Sequence, residues 1–333
     1  PAAPHRGAPD AAAVRAAVEA AAGDCVRVFV AGAVTHVGKT TVCLSILAAL
    51  RRAGFEARDL AYIKPATQCE APDLLARWCA AEGIEHVSGE NAPLVFYQGF
   101  TRSFLAGEQG TSAHWLERIA DRVDELAAGR RVLVVDGVGF PAVGSIVGVD
   151  NADVAKVVRA PVLLVCKSGV GAAVDSFNLN ASYFLAKGVP VLGAVFNLGD
   201  LGGFNSWELC AENIERWFSQ RVGGRERFYG VVPLAPTLEG LRERIAQTAE
   251  AELRDAAALN ASHLAAHVDL AGLLADAAAD PWRRRQRGSP GGGRPAWTAA
   301  AAMGAPPSAP PCARATRESV ERAALAQGSK GGG

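Results

Sequence analysis

No apolar run in this chain reaches the roughly 20 residues that a membrane-spanning helix needs. A charge excess is missing too. The 34 basic and 34 acidic side chains cancel, so net charge argues for neither a nucleic-acid nor a membrane partner. There is no C-x-x-C pair among the seven cysteines (25, 43, 69, 79, 166, 210 and 312). An odd, scattered set provides no disulfide framework and no metal site, and it fits a reducing compartment, cytoplasmic or organellar. Methionine is nearly absent: Met303 is alone, and the chain opens on Pro1. The expectation is a fragment or processed product whose targeting signal cannot be read.

What is present is concentrated in one stretch, Val26 to Leu50. Val26, Val28 and Val30, with Phe29 and Ala31 between them, form a short β-rich apolar run. Gly32-Ala33-Val34-Thr35-His36-Val37-Gly38-Lys39-Thr40-Thr41 follows, and then an apolar helical pattern through Leu44, Leu47 and Leu50. Strand, glycine loop and helix is the context that a phosphate-binding loop requires. Backbone N–H groups of the loop and the first helical turn converge on one point, where the helix dipole adds positive potential. The nucleotide-binding set is Gly32, Thr35, Val37, Gly38, Lys39, Thr40 and Thr41. Lys39 brings a mobile cation to the outer phosphates, and the Thr40 hydroxyl suits a Mg²⁺ ligand. The loop lacks the lysine at its start that a two-lysine variant carries. A T/N-K-x-D guanine-reading motif is absent as well.

Further candidates sit at strand ends. Leu60 to Ile63 reads as a strand ending at Lys64-Pro65, which puts a lysine where an open parallel sheet binds ligand; the alternative is a solvated loop lysine. Arg131 to Val135 reads as a buried strand ending in Asp136-Gly137-Val138-Gly139. An acid there is the Mg²⁺-organising position of phosphate-loop proteins. Thr111 to Ala128 has the period of an amphipathic helix, with Trp115, Ile119, Val123 and Leu126 on one face. Pro161 to Cys166, Val189 to Phe196 and Tyr229 to Val232 read as further strands, and Asp150 as a helix N-cap. The alternation predicts an α/β, three-layer α/β/α P-loop NTPase fold with a mostly parallel sheet.

The spacing is longer than the common G-x-x-x-x-G-K-[ST], with five residues between Gly32 and Gly38. In this the loop resembles the G-T-D-T-x-V-G-K-T loop of dethiobiotin synthetases, relatives of the cobyrinate amide synthases. Lys64-Pro65 is similar to the family's K-P-V-x-[ST]-G element. Asp136-Gly137-Val138-Gly139 is similar to its E-G-A-G-G, Asn197 to its V-x-x-N, and Pro233 to its G-x-[IV]-P loop.

The resemblance implies ATP and Mg²⁺ as cofactors, a small-molecule substrate, and a homodimer. It implies a ligase that carboxylates an amine, phosphorylates the carbamate and closes a ring. Lys39 and Lys64 would be catalytic, and Thr40, Asp73 and Asp136 would hold the metal. Asn197 would face the adenine, and Pro233 would lie on the purine side. Asp73 also reads as an ordinary first-turn helix acid. The chain departs from the family pattern at Val34, Gln68 and Phe140, all on the substrate side. That leaves a second reading, a non-synthetic ATP-binding or regulatory protein of the same fold. An amide synthase on another carboxylate is a third, but no Cys-His glutaminase signature supplies its ammonia.

Three segments are expected: an Ala-rich, flexible leader over 1–23, a nucleotide-binding domain over 24–280, and a basic, disordered tail over 281–333. Ala11 to Ala22 also fits a helix capped by Asp10. The tail carries nine Lys/Arg against two acids, net +7, which leaves −7 on the remainder. An inert solvated tail is preferred over an anion-binding one. Ala246 to Ala279 keeps a helical pattern with a break expected near Asn260, and Leu238 to Ile245 reads as a helix before it.

Overall fold

A computed structural model describes residues 11–21, 23–68, 73–221, 223–235 and 248–280. Seven parallel strands form the central sheet. They are β1 (Val26–Gly32), β2 (Leu60–Ile63), β4 (Glu85–Val87), β6 (Val132–Asp136), β7 (Val162–Lys167), β8 (Val191–Gly199) and β9 (Arg227–Pro233). Their order is β4-β2-β6-β1-β7-β8-β9. Two further short strands, β3 (Ala66–Thr67) and β5 (Leu94–Val95), pair with each other beside it.

The inner strands are buried on both faces, as a parallel sheet demands. Alternate residues of β1 serve the two sides. Val26, Val28 and Val30 join one core layer, while Phe29 and Ala31 join the other. The first layer is closed by α1 (Ala11–Glu19), α2 (Lys39–Arg52), α3 (Leu74–Glu82), α9 (Glu250–His267) and α10 (Leu270–Ala279). The second is closed by α5 (Ser112–Ala127), α6 (Asn151–Val157), α7 (Gly171–Ala186) and α8 (Trp207–Gln220), with the short α4 (Phe100–Leu105) at its edge. This is the expected three-layer fold.

Strand order sets the place of the site. From β1 the chain crosses to β2 on one side, returns through β6, and then passes to β7 on the other side. The reversal at β1 opens a crevice at the carboxyl ends of β6, β1 and β7, where open α/β sheets take ligands.

Two expectations are corrected. Within the supposed flexible leader, residues 11–19 form α1, whose Val14 and Val18 are buried in the first core layer. The apolar spacing at i and i+4 gives this helix a face to bury. Asp10 lies outside the described residues. The helix expected to break near Asn260 runs straight through it, because the Asn260 Nδ2 donates to the Ala256 carbonyl and satisfies itself within the helix. The break falls at Val268, which makes a bridge with Gly230 of β9. Gly230 has φ of 147°, and a Cβ there would lie 1.9 Å from the His267 carbonyl. Only a glycine lets the end of α9 seat on β9. Asp269 then caps α10 by accepting from the Gly272 N–H. Leu238 to Ile245 and the tail from Pro281 lie outside the described residues.

Candidate active site

The loop after β1 turns through His36 at φ of 58° and Gly38 at φ of 85°, and α2 starts at Lys39. No side chain caps the N-terminus of α2. Its first N–H groups are therefore left to a ligand, which suits an anion. Gly38 is required for space as well as for conformation: a Cβ there would lie 2.3 Å from the Asn197 Nδ2. That amide nitrogen donates to the Val37 carbonyl at 3.0 Å, tying the loop to the end of β8.

Asp136 closes β6 in register with Val30 of β1 and is 0 % exposed. Its Oδ2 accepts from the Thr40 hydroxyl at 2.9 Å and from the Tyr62 hydroxyl at 3.1 Å. The ammonium groups of Lys39 and Lys64 lie 3.9 and 3.8 Å from its two oxygens. Oδ1 has no hydrogen-bond partner among the described residues. A buried carboxylate oxygen left bare is costly. Lys64 also donates to the Asp73 Oδ2 at 3.1 Å. Asp73 uses its other oxygen to cap α3, accepting from the Ala76 N–H at 2.9 Å. It is both helix cap and site acid, so its two readings coexist.

The electrostatics follow from this packing. Burial lowers the Lys64 pKa, but Asp136 and Asp73 outweigh it and hold the ammonium above its ordinary value. Burial and then Asp136 push Tyr62 well up, keeping it a neutral donor. The same two causes, burial first, raise the Cys43 thiol behind the loop. Tyr62 went unread in the sequence. The available signal was its position two residues before Lys64, which puts both side chains on one face of the strand.

A cleft of about 260 Å³ opens beside the first turns of α2. Gly38, Thr41 and Ser45 line one wall, Asn197 and Pro233 another, and Asn260 and His263 of α9 a third. Gly32, Thr35, Val37, Gly38, Lys39, Thr40 and Thr41 thus share one loop and helix start, with Asn197 and Pro233 at the cleft beside it. Lys64, Asp73 and Asp136 stand on the opposite side of Lys39.

A family model described as an AAA domain (AAA_26) matches residues 26–239. The ATP-dependent dethiobiotin synthetase of Anaeromyxobacter dehalogenans (strain 2CP-C) is 30% identical over 175 residues, which cover 51% of this chain and 75% of the relative. That of Pseudomonas aeruginosa (strain UCBPP-PA14) is 30% identical over 220 residues, 62% of this chain and 92% of the relative. The chain belongs to the dethiobiotin synthetase-like P-loop family. Among solved structures, the signal recognition particle receptor FtsY from Elizabethkingia anophelis in complex with GDP is 13% identical, covers 73% of this chain and 70% of its own, and has a TM-score of 0.39.

Within this dethiobiotin synthetase-like chain, the crevice changes character away from the phosphate loop. Val34 is 45% exposed and Phe140 44% exposed, on the loops after β1 and β6, and Val170 is exposed on the loop after β7. Gln68 is exposed beyond β3. Arg102 is exposed on α4, while Phe100 next to it is buried among Phe96, Phe104 and Trp115. The aromatic segment therefore packs the edge of the fold, and Arg102 faces outward from it. Among the described residues, no helix is long and apolar enough to cross a membrane.

Proposed function

We propose that the chain is an ATP- and Mg²⁺-dependent ligase of the dethiobiotin synthetase type. The observation that carries this reading is the Lys39–Asp136–Lys64–Asp73 constellation beside the phosphate loop. Two cations face the place where a γ-phosphate and an acceptor oxyanion must meet.

The residues present fit a Mg²⁺ ion. Asp136 has a buried, unbonded oxygen, and the Thr40 hydroxyl lies against its other one. One or two carboxylates, a hydroxyl and phosphate oxygens are the hard ligands that Mg²⁺ takes. Thr40 and Asp136 would hold it, with Asp73 nearby; when bound, it would neutralise phosphate charge.

The chain's own groups do the rest. The α2 N-terminus and Lys39 orient the triphosphate and stabilise charge on the transferring phosphoryl group. Lys64, held as a cation, binds a carbamate oxygen formed when an amine of the substrate takes up carbon dioxide. The carbamate oxygen attacks the γ-phosphorus and ADP leaves. The second amine then attacks the mixed anhydride carbon and expels phosphate as the ring closes. Tyr62 fixes Asp136, so the cation–anion arrangement is built before substrate arrives.

The test is dethiobiotin formation from 7,8-diaminopelargonate, bicarbonate and MgATP, with Lys39→Ala and Lys64→Ala as controls. Product in the parent chain and a loss of at least a hundredfold in both variants is expected. Tight ATP binding without product supports the second reading instead, an ATP-binding or regulatory protein of this fold. The specific observation in its favour is the apolar rim of Val34, Phe140 and Val170.

A further inference from the structure

We infer that α9 completes the nucleoside pocket and that Asn260 reads the base. The inference rests on the ATP reading above and goes beyond it, because α9 (Glu250–His267) lies outside residues 26–239 that match the family.

The cleft beside Gly38 and Thr41 is where a nucleoside must lie once its phosphates occupy the α2 N-terminus. Its far wall is α9. Asn260 lines that wall and is 4% exposed. Its Nδ2 donates to the Ala256 carbonyl at 2.7 Å, and among the described residues nothing donates to its Oδ1. An amide oxygen on a cleft wall that no described residue bonds is an acceptor open to a ligand N–H. Asn197 lines the facing wall in the same way: its Nδ2 is committed to the Val37 carbonyl, which leaves its Oδ1 for the cleft. Two amide oxygens across one cleft select a donor. The exocyclic 6-amino group of adenine is such a donor, whereas a 6-oxo purine presents an acceptor to both.

His263 positions this wall. Its Nε2 lies 2.8 Å from the Pro233 carbonyl, which can only accept, so Nε2 carries the proton. That bond fastens α9 to the end of β9, and the Gly230 seat holds the same C-terminal part of the helix one turn further on.

The experiment is calorimetric titration of the full chain with MgATP, MgITP and inorganic tripolyphosphate. ITP differs from ATP at the 6-position, and tripolyphosphate has no base. The probe variant is Asn260→Leu, which keeps bulk and leaves no orphan, since the Ala256 carbonyl retains its helical bond. The expected result is ATP weakened roughly three- to tenfold, with ITP and tripolyphosphate unchanged. His263→Ala should lower the ATP-over-ITP ratio, and His263→Gln should restore much of it. Equal weakening of ATP and ITP in Asn260→Leu, or no change in either, overturns the inference while leaving the phosphate site intact. Failure of the unmutated chain to bind ATP or tripolyphosphate overturns the nucleotide reading itself, and this inference with it.

Discussion

At Gly38 the main chain is left-handed and the space is already filled by the Asn197 amide, 2.3 Å from where a Cβ would stand. Gly38→Ala therefore strains the left-handed backbone and displaces the Asn197 amide from its bond to the Val37 carbonyl. It should cost about 1–3 kcal/mol of stability and abolish nucleotide binding, read by urea unfolding and calorimetry. Cys43 is buried, with its thiol raised by that burial and by Asp136. It should resist alkylation at pH 8 in the folded chain and react once the chain is unfolded; rapid labelling of the native protein at Cys43, located by mass spectrometry, would contradict this packing. Lys64 carries a raised pKa, so its ion pairs are present below the ordinary lysine value and are lost only as pH climbs through the higher folded one. The alkaline limb of a pH–rate profile should therefore fall above about 10.5 if Lys64 alone sets it. Lys39 was legible from the Gly38-Lys39-Thr40 sequence at the start of a helix, and Lys64 and Asp136 because each ends or follows an apolar strand, where a charged side chain has few structural uses. Tyr62 and Asn260 were not. The Tyr62 partner, Asp136, comes from another strand, so its place two residues before Lys64 was the one local signal; Asn260 bonds within its own helix, and only the packing of α9 brings it to the cleft.

Among the elements, the first strand-loop-helix unit could be read almost to the residue, since β-rich apolar residues, glycines and a helical period follow in order. The short edge strand β4 escaped because three residues carry too little pattern. The break between α9 and α10 was misplaced because an asparagine that bonds within its own helix looks the same in sequence as one that ends it. For residues 11–22 a helix and a flexible leader both fitted the sequence; the helix forms, and its Val14 and Val18 lie in the same buried layer as Leu273 and Leu274 of α10. Val18→Ala should destabilise the chain by about 1–3 kcal/mol, seen as a lower urea midpoint with the ATP-over-ITP ratio unchanged. A second tie joins β1, α5 and the turn after α6: the Asp124 carboxylate pairs with Arg27 and Arg159. Burial works against its ionisation, but the two guanidinium groups win and hold it below the ordinary carboxylate range. A depressed carboxylate stabilises above its unfolded pKa and stops doing so as pH falls through the folded one. Asp124→Asn should therefore lower the unfolding midpoint at pH 7 and leave it nearly unchanged near pH 2.

For the molecule as a whole, the parallel order β4-β2-β6-β1-β7-β8-β9 assembles one crevice with three parts. The phosphate-loop motif stands at its centre, the cleft walled by α9 on the β8–β9 side, and the lysine–carboxylate cluster on the β2–β6 side. The general fold followed from the alternation of strands and helices, while the strand order that brings α9 to the cleft could not be read from local pattern. The central claim is that ATP cleavage here is coupled to ring closure on a diamine. The most direct measurement is the stoichiometry of ADP and dethiobiotin formed by the full chain from 7,8-diaminopelargonate, bicarbonate and MgATP. The account predicts one ADP per dethiobiotin, with both lost in Lys39→Ala. ADP release that is indifferent to the diamine, with no dethiobiotin, would contradict it.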